Sequence, residues 1–157
     1  MLSNDSELRA RLIAVALEWQ KRFGVAPAIT SALSEYDAAM KVAMSEQDYG
    51  LECQHRTAVT RGADFVYKGC RYQVKANRPS GKPGSPVTLV GKPNNYEWDK
   101  LIWILYNTQY EIQEAWLWDV DAYKQTFDSR TRISPADMRR GLDLLDTRSH
   151  PDAVSGG

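Results

Sequence analysis

Leu8, Leu12, Ala16, Trp19 and Phe23 recur at helical spacing near the start of the chain. They predict an amphipathic helix from Asp5 to Phe23, closed by Gly24. Pro27 and Thr30 open a second predicted helix that runs to about Met44, with Leu33, Tyr36, Met40 and Met44 on its apolar face. The periodicity then fades. Residues 45–61 are polar, and the expectation there is a loop with at most a short strand. From about Ala63 to Ala76 the pattern is that of two short strands joined at Lys68-Gly69. Asn77 to Pro86 holds three Pro and two Gly, which excludes a regular element. Val87 to Val90 reads as a short strand. Leu101 to Tyr106 is apolar on both faces, the pattern of a central strand. A turn at Asn107-Thr108-Gln109 leads into an antiparallel strand from Tyr110 to Trp118. Asp119 then caps a short helix through Phe127, and Ser134-Pro135 supplies the N-cap and first position of another. From Ser149 the residues are polar, and a disordered tail over 149–157 is expected.

The chain has 157 residues, 43% of them hydrophobic, with five Trp and eight Tyr. That suffices for one core and not two, so residues 1–148 are expected to form a single domain. Formal net charge is zero, which gives no bulk attraction to a polyanion. Local charge differs. Between Asp64 and Glu97 there is no acidic residue, while Lys68, Arg71, Lys75, Arg78, Lys82 and Lys92 all fall there. Such a stretch makes either a basic binding surface or a solvated basic face. Two cysteines, Cys53 and Cys70, are too few for a disulfide scaffold or a zinc ribbon, and they fit inert thiols in a reducing cytosol. His55 and His150 lack the Cys or acid spacing of a zinc site. With no apolar signal region and no membrane-length apolar run, the expectation is a cytoplasmic protein.

The candidate chemistry centres on the hairpin. Side chains alternate across a strand, so Gln73 and Lys75 share one face while Tyr72 and Val74 share the other. An Asp64 on the preceding strand can lie beside that pair. One carboxylate, one amide carbonyl and one ammonium around a point suit a hard divalent cation next to a phosphodiester. Two acids on the second helix compete for a role. Asp37 has Lys41 one turn later and reads as a surface ion pair. Glu35 lies among Ala32, Ala39 and Val42, which predicts a semi-buried carboxyl in need of a partner. The Pro- and Gly-rich stretch after the hairpin offers Arg78, Ser80, Lys82 and Ser85 to phosphates, while Asn77, and Arg139 and Arg140 near the end, are candidates for base edges.

The order is a helix with Glu35, a strand with Asp64, a strand with Gln73-Val74-Lys75, a basic loop, and then buried strands and helices. Over roughly residues 30–127 this resembles the PD-(D/E)XK nuclease superfamily. The resemblance implies an α/β, restriction-endonuclease-like fold with a central mixed sheet flanked by helices. It implies a catalytic set of Glu35, Asp64, Gln73 and Lys75. It further implies Mg²⁺, with Mn²⁺ as a substitute, held by Asp64, Gln73, the backbone carbonyl of Val74 and Glu35. The implied activity is hydrolysis of phosphodiester bonds in double-stranded DNA, with restriction-type cleavage of both strands. A nicking or structure-specific repair nuclease, and a catalytically inactive DNA-binding module of the same fold, are the alternatives. Two departures stand out: Gly62-Ala63 rather than Pro precedes Asp64, and Gln73 replaces the usual acid, removing one negative charge. Cutting both strands is simplest for a two-fold dimer, and the stripe of the first helix serves either as a homodimer face or as packing for the chain's own core.

Overall fold

The computed structural model describes residues 4–56 and 62–146. Helix α1 spans Asn4–Phe23, with Asp5 and Glu7 in its first turn and Lys21 and Arg22 in its last, as the helix dipole favours. Gly24 follows at φ +87° and closes it. Helix α2 spans Thr30–Lys41, shorter than the periodicity predicts. The cause is a Schellman turn: Ala43 is left-handed at φ 64°, Met44 N–H donates to the Ala39 carbonyl at 3.1 Å and Ala43 N–H to Met40 at 3.1 Å. Met44 still reaches the core, at 5% exposure, but from the turn.

Residues expected as a loop form helix α3, Glu46–His55. Ser45 caps it by accepting from Asp48 N–H at 3.0 Å. None of its residues is buried, which explains the missing periodicity. The hairpin follows as β1, Phe65–Tyr67, and β2, Cys70–Asn77. Lys68 and Gly69 both take positive φ (51° and 74°), as a two-residue type I′ turn requires. A long crossover leads to β3, Lys100–Tyr106, then β4, Ile112–Asp119, helix α4, Val120–Phe127, the short α5, Pro135–Met138, and β5, Leu142–Asp143. Ser134 and Asp137 form the capping box of α5, with Pro135 in its first turn. The predicted strand at Val87–Val90 is not one. Only Val90 pairs, in an isolated bridge with Ile133. The predicted start of β4 at Tyr110 also moves, because Tyr110 is left-handed at φ 62° inside the turn organised by Asn107.

The sheet is mixed, in the order β1-β2-β3-β4-β5. Only β2 and β3 are parallel, with Gln73 opposite Leu101 and Lys75 opposite Trp103. Helices cover both faces. On the face toward α1 and α2 the core holds Leu33, Ala38, Phe65, Val74, Ile102, Ile104 and Tyr106. On the other face Trp98, Leu101, Trp103, Trp118, Tyr123 and Phe127 pack together. Strand β3 is thus buried on both sides, as its apolar run predicts. Among the described residues no helix is long and apolar enough to cross a membrane.

Helix α1 turns a different face inward than its aromatic stripe suggests. Ala16 is buried and Ile13 and Leu17 pack on the core, while Leu8, Leu12, Trp19 and Phe23 stay 38–60% exposed. Polar anchors choose the face. Arg9 forms a two-pronged ion pair with Asp37 of α2 (2.7 and 2.8 Å), and Gln20 accepts from Arg78 at 2.7 Å. Asp37 is therefore no surface partner of Lys41. It is 4% exposed and also accepts from the Tyr106 hydroxyl at 2.6 Å.

Candidate functional site

Strand β1 is only three residues long, so it covers β2 as far as Tyr72 and leaves the rest of that edge open. Asp64, just before β1, continues the ladder with its N–H on the Tyr72 carbonyl at 2.7 Å. Its side chain then takes over where the strand ends. Asp64 Oδ2 accepts from Val74 N–H at 2.7 Å and from Gln73 Nε2 at 3.0 Å. The N–H and C=O of one strand residue point to the same side, so the Val74 carbonyl faces this open edge too. Gly62 sets the approach. It is left-handed at φ +79°, and a Cβ there would meet Glu97 Cβ at 2.6 Å and Asn95 Oδ1 at 2.7 Å.

Helix α2 brings Glu35 to the same edge. A cavity of about 210 Å³ is lined by Ser31, Ser34, Glu35, Asp64, Gln73 and Lys75, with Thr30, Val74 and Ala76 completing it. All four residues singled out from sequence thus meet in one cavity. Burial first, and the neighbouring Asp64 carboxylate second, raise the Glu35 carboxyl from 4.5 to about 7, against the lowering effect of Arg56. The Arg56 guanidinium lies 3.9 Å from Glu35 and is bound more closely by Glu52, at 2.8 Å. Among the described residues the Lys75 ammonium has no hydrogen bond or ion pair, and its aliphatic stem passes Gly91.

No protein-family model matches the chain, and no curated protein matches it.

Among the described residues no three His, Cys, Asp or Glu side chains cluster as a metal centre. The donor set here is instead two carboxylates, the Gln73 amide and a main-chain carbonyl, all hard oxygen ligands of the kind a magnesium ion takes. Glu35 and Asp64 repel each other, and a cation between them would relieve that repulsion. The residues fit a divalent ion on these grounds.

The other candidates are dispersed. Asn77 donates to the Leu89 carbonyl at 3.1 Å and accepts from Trp103 Nε1 at 2.9 Å, so it braces the crossover against β3. Arg78 donates to the Thr108 carbonyl and to Gln20, and stacks 4.3 Å from the Tyr110 ring. Ser80 and Lys82 wall an adjacent cavity of about 290 Å³ that shares Thr30 with the first. Ser85 is exposed on the same loop. Arg139 forms a two-pronged pair with Glu114 of β4 (2.7 Å each), and Arg140 follows it; β3 separates that strand from β2. Of the basic stretch, Arg71 pairs with Asp99 and Lys92 binds the Asp128 and Arg130 carbonyls. His55 ends α3, while His150 and the expected tail lie outside the described residues.

Ser31 and Ser34 are the lining residues that sequence reasoning missed. The signal was present: with Glu35 they fall at i, i+3 and i+4, which sets three polar side chains on one face of the helix. Ser34 is buried and donates to the Ser31 carbonyl at 3.1 Å.

The raised Glu35 carboxyl has a consequence for stability. Between its ordinary 4.5 and about 7 the folded protein keeps a proton that the unfolded chain has released. The stability this lends is complete below about pH 4.5 and is lost as pH rises to about 7. In buffer with chelator, the urea midpoint of the wild type should fall across that window more steeply than that of Glu35→Gln. Parallel pH profiles for the two proteins would show that Glu35 does not titrate this way.

Proposed function

We propose that the protein is a Mg²⁺-dependent DNA endonuclease of restriction-endonuclease-like fold that hydrolyses phosphodiester bonds. The observation that supports this best is the convergence of Glu35, Asp64, Gln73 and Lys75, drawn from three elements, on one cavity at the open edge of β2. A single ammonium beside two carboxylates and an amide is the composition that phosphodiester hydrolysis asks for. The mixed sheet, with its Asp-bearing hairpin and helix-borne Glu, supports the same fold assignment.

Asp64, the Gln73 amide oxygen and the Val74 carbonyl would hold the ion, with Glu35 beside them. Mn²⁺ suits the same oxygen donors. A divalent cation held there supplies Lewis acidity toward water and the scissile phosphate. The Lys75 ammonium orients the attacking water and offsets charge gathering on the phosphate oxygens. One P–O bond forms from that water and one P–O ester bond breaks. Burial and the Asp64 carboxylate raise the Glu35 carboxyl in the absence of a cation; a cation held beside it would favour the carboxylate, which can accept the proton of the water. Ser80, Lys82 and Ser85 lie along the loop that borders the neighbouring cavity, where a continuing DNA backbone would run.

One observation favours the inactive DNA-binding alternative. Gln73 spends one amide N–H on Asp64 rather than adding a charge to the site. Supercoiled plasmid incubated with the full chain and Mg²⁺ separates the readings. Linear product supports restriction-type cleavage, nicked circles a single-strand nuclease, and DNA retention without cutting the inactive module. A chain that leaves the plasmid uncut is not an endonuclease, and one that also fails to retain DNA has neither function.

The Gln73→Glu variant tests the ligand directly. One added charge should lower the Mg²⁺ concentration for half-maximal activity by about tenfold, a partly screened unit charge at ligand distance. Superimposable metal titrations would remove Gln73 from the ligand set.

A further inference from the structure

We infer that the exposed stripe of α1 is a self-association surface, and that two copies of the chain pair through it as antiparallel helices. This stands apart from the nuclease reading and does not depend on it. Leu8, Leu12, Val15, Trp19 and Phe23 are 56, 38, 59, 51 and 60% exposed, a run of large apolar side chains along one side of a single helix. Monomeric proteins rarely expose such a contiguous patch. The helix is already fixed on its other side by Ile13, Ala16, Leu17 and the Arg9–Asp37 pair, so the stripe is surplus to folding.

The spacing selects a helix as the partner. Leu8, Leu12, Val15 and Trp19 are separated by four, three and four residues, the steps of a coiled-coil seam. The sequence of steps reads the same in both directions. An antiparallel copy therefore sets Leu8 opposite the partner's Trp19 and Leu12 opposite the partner's Val15, and each contact occurs twice across a two-fold axis. Beside Leu8 and Leu12, a cavity of about 350 Å³ walled by Leu33, Tyr36 and Tyr49 gives the incoming Trp19 an apolar seat.

Charge selects the direction. Arg11 and Glu18 lie on the solvent-side flank of the stripe, one on either side of its midpoint. In the antiparallel pair Arg11 faces the partner's Glu18, twice. In a parallel pair that flank would face the partner's Ala16 and the partner's Phe23 instead, and neither charge would find a counter-ion. Glu18 is only loosely engaged within its own helix, 3.9 Å from Arg22 with both side chains more than 70% exposed, so it is free to turn. A specific interface needs to bury roughly 1,000 Å² in all, and two such stripes with the groove walls are of that order.

Sedimentation equilibrium of the full chain, over about 1 to 100 µM, should show a monomer–dimer equilibrium. Val15→Glu, at an exposed position that leaves the fold intact, should weaken association at least about 30-fold. Arg11→Glu should weaken it about 3- to 10-fold, and Arg11→Glu with Glu18→Arg should restore it. The reciprocal rescue is the readout that a merely structural role for α1 would not produce. A monomer at every concentration overturns the inference. So does a dimer that Val15→Glu leaves unchanged, or a double swap that fails to restore pairing. A monomeric chain that floats with anionic phospholipid vesicles would assign the stripe to a lipid surface instead.

Discussion

Asp64→Ala should lower Mg²⁺-dependent cleavage of duplex DNA by on the order of a thousandfold or more, the scale of losing a group that acts only on the transition state. The reason is positional. Asp64 stands where β1 stops and the edge of β2 opens, and its carboxylate is the one fixed anion there, held by Val74 N–H and Gln73. On the proposed reading, removing it would deprive the cation of a ligand, and it leaves the Val74 N–H without its partner. The second effect costs only about 1 kcal/mol of stability, so the fold and DNA retention should survive. Asp64→Asn separates the two contributions. Its carbonyl oxygen can still accept from Val74, which preserves the edge, while the negative charge is gone. Cleavage should collapse in both variants, with stability lowered only in Asp64→Ala. Wild-type cleavage by Asp64→Asn, measured as plasmid conversion at saturating Mg²⁺, would sink the assignment.

Asp37→Ala should cost more stability than any change at the site itself, about 2 to 4 kcal/mol, or a fall in Tm of about 10 °C. Asp37 is 4% exposed and bonded at both oxygens, to Arg9 of α1 and to the Tyr106 hydroxyl of β3. Its loss strands a guanidinium that is only about a quarter exposed and a buried hydroxyl. Arg9 can turn partly to water, which keeps the cost below that of a fully enclosed pair. The same residue ties function to fold. It pins α2 to the sheet two residues from Glu35, so cleavage should fall as α2 loosens even though Asp37 does not line the cavity. Denaturant melts of Asp37→Ala and Asp37→Asn check the claim, since Asn keeps an acceptor and should lose less. A midpoint within experimental error of wild type for the Ala variant would show that the triad is not a structural clamp.

Local rules made much of this molecule legible from sequence. The period of two around Gln73 and Lys75, the turn at Lys68-Gly69, the doubly apolar run of β3 and the Ser134-Pro135 start of α5 are each set by residues a few positions apart. The structure has them where those rules put them. Glu35 was also legible, as an acid among small apolar neighbours, because a charge without an adjacent counter-ion has to find one elsewhere. Helix α3 was not, since it buries nothing and is held by its cap at Ser45 rather than by an apolar stripe. The end of α2 depended on Ala43 accepting a left-handed conformation that composition does not announce. What the sequence determined alone, then, was most of the elements, α3 and β5 excepted, and the chemical types on each. Which face of α1 turned inward, whether Asp37 or Glu35 met the open edge of β2, and which basic residues stayed free were tertiary decisions. Each depended on partners 9 to 69 residues away along the chain, such as Gln73 for Asp64 and Tyr106 for Asp37. No periodicity within one segment can specify a contact whose other half lies in another.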